Sequence, residues 1–69
     1  MRTVDEYMKF PYKMEIVSDT EEGGYVISFP DLPGCISMGD SIEEAMINAE
    51  DAKRAWIEAA ISDGITIKE

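Results

Sequence analysis

Histidine is missing from this 69-residue chain, and cysteine occurs once. The first absence removes the commonest general base and the commonest nitrogen ligand for metals. The second leaves no partner for an internal disulfide. With no signal-like apolar segment at the N-terminus, the chain reads as cytoplasmic. Cations are scarce too: six Lys and Arg face fifteen Asp and Glu, a formal net charge of −9. Nucleic acid is a poor partner for such a surface, because phosphates need Lys and Arg to displace their counterions. The natural complement is a basic protein drawn in by long-range attraction; the plainer alternative is that acidity keeps the chain in solution. No apolar run approaches the length needed to cross a bilayer, so no membrane partner is expected. Gly23-Gly24 is followed by neither a lysine nor a helix start, so it is no phosphate cradle, and nothing in the chain reads as a cofactor or small-molecule box.

What is present is ordinary for a folded domain: 45% hydrophobic and 30% charged residues. The length predicts one domain over 1–69, with no C-terminal DNA-binding domain. Such a chain buries only roughly 60% of the surface it exposes unfolded, so its stability margin is small. A small core without staples predicts a homo-oligomer, a dimer or higher.

Along the chain the hydrophobic period changes twice. Thr3 is a candidate N-cap for a turn or two of helix, which must end by Phe10 because Pro11 pushes its predecessor out of the helical region. From Tyr12 the pattern alternates, with Tyr12, Met14 and Ile16 on one face. "SDTEEGG" supplies turn residues, and "YVISF" is a second strand with Tyr25, Ile27 and Phe29 on one face, which together read as an antiparallel hairpin. After "PDLPG" comes a short third strand, in which Ile36 and Met38 alternate with Cys35 and Ser37. Ser41 and Glu44 match a capping box, and Glu43 suits the positive end of the helix dipole. Ile42, Ala45, Met46, Ala49, Ala52, Trp56, Ala59 and Ala60 then form a helical stripe, with Glu50 and Arg54 an i,i+4 pair outside it. Gly64 stops the helix, and "ITIK" predicts a fourth strand. The expected fold is α+β: a three- to four-stranded, mainly antiparallel sheet with one long helix on one face, in the order β-β-β-α-β after a short N-terminal helix. Val17, Val26, Cys35, Ile47 and Ile61 fall outside the main core faces and are candidate subunit or partner contacts.

Chemistry finds little support. Cys35 has no base to pair with and reads as structural. The acids fall in turns (Asp19, Glu21, Glu22, Asp31) or on the outer helix face (Glu43, Glu50, Asp51, Glu58). None occupies the inward-facing central strand position that a carboxylate metal site requires. No catalytic, cofactor or metal residue is assigned, which moves the weight from enzyme to binding protein.

The pieces Gly24-Tyr25, Pro30 to Cys35 ("PDLPGC"), Gly39-Asp40-Ser41, Glu43-Glu44-Ala45 and Asp63-Gly64 together resemble the HicB family of bacterial type II antitoxins, here in a short single-domain form. "YMKFPY", Tyr7 to Tyr12, is similar to the opening of one branch. The resemblance implies a partial ribonuclease H-like fold without the nuclease's catalytic carboxylates. It also implies that the chain neutralises HicA, a small basic mRNA-cleaving toxin, by covering its active surface. Many full-length members add a C-terminal DNA-binding domain and repress their own operon; this sequence does not contain one, so it belongs either to the short single-domain members or to a longer protein of which it is a fragment. The residues expected at the toxin contact are the acids of an edge strand and of the Pro-Gly loop rim: Glu15, Asp19, Glu21, Glu22, Asp31 and Asp40. A degenerate Mg²⁺-dependent nuclease on the same fold, or a self-associating scaffold with no toxin, are the alternatives.

Overall fold

Thr3 Oγ1 accepts from the Glu6 N–H at 3.2 Å, and Glu6 Oε1 accepts from the Thr3 N–H at 3.2 Å, a reciprocal capping pair. In a computed structural model that describes residues 2–68, this pair opens helix α1, Val4–Met8. The helix stops short of Phe10, as Pro11 demands. Three strands follow, β1 (Glu15–Ser18), β2 (Tyr25–Ser28) and β3 (Ile36–Gly39), and then helix α2 (Ile42–Asp63). The sheet is an antiparallel meander in the order β1-β2-β3.

The hairpin between β1 and β2 is closed by Asp19. Its N–H donates to the Gly24 carbonyl at 2.9 Å, and its Oδ1 accepts from the N–H groups of Glu21 (3.1 Å) and Glu22 (3.2 Å). A short side chain holding its own turn is the usual role of Asp here. Register then sorts the faces. Ile16, Ile27 and Ser37 share a row, and Val17, Val26 and Met38 share the next. Paired residues point to the same side of a sheet, and successive ones to opposite sides. Ile27 is fully buried, so its row faces the core and the Val26 row faces away.

Helix α2 lies over β3 and β2 and makes no element-level contact with β1. It starts at Ser41, whose Oγ accepts from the Glu44 N–H at 3.1 Å; the return bond from Glu44 is not among the described hydrogen bonds. Ser41→Ala should lower stability by about 1 kcal/mol, the usual worth of an N-cap. Thermal unfolding checks this, and an unchanged midpoint would show the cap to be idle. The helix ends at Gly64, whose φ is 71°, with the Ile65 N–H reaching back to the Ala60 carbonyl at 2.8 Å.

The core holds Ile27, Phe29, Leu32, Cys35, Ala45, Ala49, Ile57, Ala60 and Ile67. Several expectations are corrected by it. Cys35 is buried in the core, so it is no contact residue on the surface, whereas Ile61 is half-buried and packs against the core. Ile36 and Met38 face outward, opposite Cys35. Ile42, Met46 and Ala59 are exposed although they fit the helical stripe, and Ile57 takes a central place instead. Met46 borders a shallow cleft with Met8, Met14 and Phe29. Arg54 pairs with Asp5 of α1 at 3.2 Å rather than with Glu50, so it fastens the two helices together.

Two strand boundaries also move. β1 begins at Glu15, not Tyr12, because its partner strand ends at Ser28 and turns away at Pro30. The segment 65–68 joins no ladder. Ile67 is buried while Ile65, which alternation would put on the same face, is exposed. The segment is pinned by side chains instead: the Tyr12 hydroxyl donates to the Lys68 carbonyl, and Lys68 Nζ lies 3.0 Å from Asp31.

Candidate partner-binding surface

The "PDLPG" stretch is a plug. The Leu32 N–H donates to the Phe29 carbonyl and the Cys35 N–H to the Leu32 carbonyl, each at 2.9 Å, and the Phe29 N–H returns to the Cys35 carbonyl at 3.1 Å. These tight turns drive Leu32 into the core, where it is fully buried. The Trp56 indole N–H donates to the Pro33 carbonyl at 2.7 Å and locks the loop to α2. Burial pushes the Cys35 thiol above its ordinary pKa and outweighs the charge of Lys53, which pulls the other way. A thiol raised in the folded state adds stability below its unfolded pKa, and that contribution is lost as pH climbs through the folded value. In the native protein Cys35 should therefore react with a thiol reagent at pH 8 on the order of 100-fold more slowly than in denaturant, since opening must come first. Equal rates would show that the thiol is accessible.

The six acids expected at the contact do not form one site. Asp19 and Glu22 of the hairpin turn and Asp40 of the β3–α2 junction line one concavity of about 340 Å³, together with Glu44 from the first turn of α2. The register that sets Tyr25 opposite Gly39 brings the hairpin turn beside the helix start. Glu21 rides on the same turn. Glu15 and Asp31 lie at the other end of the sheet, where Lys13 (3.9 Å) and Lys68 (3.0 Å) pair with them. Glu44 was missed because its place in a capping motif hid its exposure to this cleft.

Charge is segregated across the molecule. No Lys or Arg occurs between Met14 and Ala52, a span that includes all three strands and the first half of α2. Among the described residues no ion pair involves Asp19, Glu21, Glu22, Asp40 or Glu44, whereas Arg2, Lys13, Arg54 and Lys68 are paired elsewhere. Lys53 donates to the Met8 carbonyl at 3.4 Å and lies over the rings of Tyr12 and Phe29. Among the described residues the concavity thus holds negative charge with no cation paired to it. Among the described residues no group of three or more His, Cys, Asp or Glu is arranged to hold a metal ion, and no helix is long and apolar enough to cross a membrane.

The concavity opens onto the face of the sheet that α2 leaves bare. Val26 and Met38 border both. Across this face Val17, Ile36 and Met38 are 60%, 58% and 65% exposed, with Val26 half-buried between them. Of the predicted apolar contacts, Val17, Val26 and Ile47 remain at the surface, and Ile47 lies on α2, away from this face.

Fold and surface together define a small acidic α+β domain with one covered sheet face and one open apolar face rimmed by unpaired acids. Residues 10–69 match the family described as the HicB-like antitoxin of bacterial toxin–antitoxin systems. The chain belongs to that family. It is 46% identical over 56 residues, 81% of its length, to an uncharacterised 14.9 kDa protein of Haemophilus phage HP1. It is 45% identical over 51 residues, 74% of its length, to "Antitoxin HicB 1" of Photorhabdus laumondii. To a UPF0150 protein of Thermoplasma acidophilum it is 46% identical over 44 residues, 64% of its length. The matched segments make up 39%, 31% and 64% of those three proteins, so the chain spans less than two thirds of each.

Proposed function

We propose that this chain is a non-catalytic antitoxin module that binds a small basic HicA-type toxin and covers its mRNA-cleaving surface, acting in the cytoplasm. The observation that carries this reading is the segregation of charge: an acidic concavity beside an apolar face, with every cation of the chain outside the span 14–52. Family membership supplies the class of partner, and the charge supplies the reason a basic one would be drawn in.

The test is direct binding between the purified chain and a HicA-type toxin from the same genome, silenced at its catalytic histidine. A complex should form, and its Kd should rise about tenfold or more between 0.1 and 0.5 M salt, as exposed charge is screened. Failure to form a complex contradicts the reading. A Kd indifferent to salt contradicts its electrostatic basis.

A further inference from the structure

We infer that the toxin docks on the open face of the sheet, with the row Val17–Val26–Met38 and Ile36 at the centre of the contact and the acidic concavity at its rim. This rests on the antitoxin reading above and names the surface that performs it.

Three observations converge on this face. First, it is a continuous apolar surface: three strands each contribute at least one hydrophobic side chain, and register sets Val17, Val26 and Met38 side by side, with Val17, Ile36 and Met38 each more than half exposed. An exposed apolar patch with a polar rim is the usual mark of a protein contact. Second, the face is continuous with the concavity, since Val26 and Met38 border both. An approaching surface would meet the apolar row and Asp19, Glu22, Asp40 and Glu44 together. Third, charge selects the occupant. A second copy would bring its own acidic rim, at a net charge of −9, against the first. A basic surface with an apolar centre would instead satisfy both parts, and like charges across an interface are strongly unfavourable.

The helix offers a built-in control. Ile47 is 64% exposed, as conspicuous as Met38, and has Glu43, Glu44, Glu50 and Asp51 within one helical turn on either side. It sits on α2 rather than in the sheet, one turn from Glu44, so its substitution places the same new charge near the rim without altering the apolar row.

Met38→Arg and Ile47→Arg change net charge by the same amount, and both replace exposed side chains. Each should keep the circular dichroism spectrum and melting behaviour of the parent. Against the silenced HicA-type toxin, Met38→Arg should raise Kd about thirtyfold or more, the scale of a central contact residue, and Ile47→Arg less than about threefold. If the parent chain binds no toxin, the antitoxin reading falls and this assignment with it. If the parent binds and Met38→Arg binds equally well, the antitoxin reading stands and the open face is overturned. If Met38→Arg instead splits a dimer without touching toxin affinity, the face belongs to a second copy and the assignment is likewise overturned.

Discussion

Gly39→Ala should lower the melting temperature by about 15 °C or leave the chain unfolded. Gly39 ends β3 directly beneath the start of α2. A Cβ there would sit 2.5 Å from the Ala45 nitrogen, 2.8 Å from the Ala45 Cα and 2.9 Å from the Glu44 carbonyl carbon. All three atoms belong to the first turns of the helix, so no flexible side chain can swing aside. Relief requires α2 to lift off the sheet along the line where Ala45 and Ala49 are buried. Overpacking commonly costs about 1–3 kcal/mol, and a clash of backbone on backbone belongs at or beyond the upper end. For a domain of this size each kcal/mol is worth about 4–8 °C, and total stability is only a few kcal/mol. Gly23→Ala is the informative comparison. Its φ of 81° makes alanine strained there, but nothing lies within 4 Å of the added carbon. It should cost about 1 kcal/mol, the backbone term alone. Two equal shifts would mean that the close helix approach is not what Gly39 provides.

The second large effect concerns association. Glu22→Lys combined with Asp40→Lys should slow toxin binding about thirtyfold or more at low salt, because charges at the rim act mainly on the rate of encounter. Both side chains are exposed and line the concavity, so the fold should survive. The matched control is Glu58→Lys with Asp63→Lys on the far half of α2, which changes net charge equally. It should slow association only a few-fold, since neither side chain lines the concavity and exposed charges act mainly at short range in salt. The gap between the pairs should close as salt is raised. Equal rates for both at low salt would show that only overall charge matters and that the concavity has no special role.

Much of this arrangement is written in local pattern. Ser41 and Gly64 bracket α2 as their chemistry requires, and Thr3 with Glu6 opens α1. The alternation of Tyr25, Ile27 and Phe29 identifies the inner face of β2. The pattern is less informative where both faces of a strand are apolar. Cys35, Ile36 and Met38 are all hydrophobic, and only the register against Ile27 decides that the first points inward and the other two outward. Leu32 illustrates a different gap: a turn sequence carries no sign of burial, yet two successive turns aim this one side chain into the core. The fourth strand failed because alternation is necessary but not sufficient. Without a neighbouring strand to pair with, 65–68 is held by Tyr12 and Asp31. The acids followed the same logic. Asp19, Glu22 and Asp40 converge only because Tyr25 pairs with Gly39, a long-range fact with no local signature. Glu15 and Asp31 lie at the other end of the sheet, beside Lys13 and Lys68, a placement that also depends on long-range contacts.

The most direct measurement is the rate of mRNA cleavage by an active HicA-type toxin from the same genome, titrated with the purified chain. Cleavage should fall linearly and stop near equimolar binding sites, while the Met38→Arg chain should require a large excess. Undiminished cleavage in the presence of saturating folded chain would contradict neutralisation of that toxin.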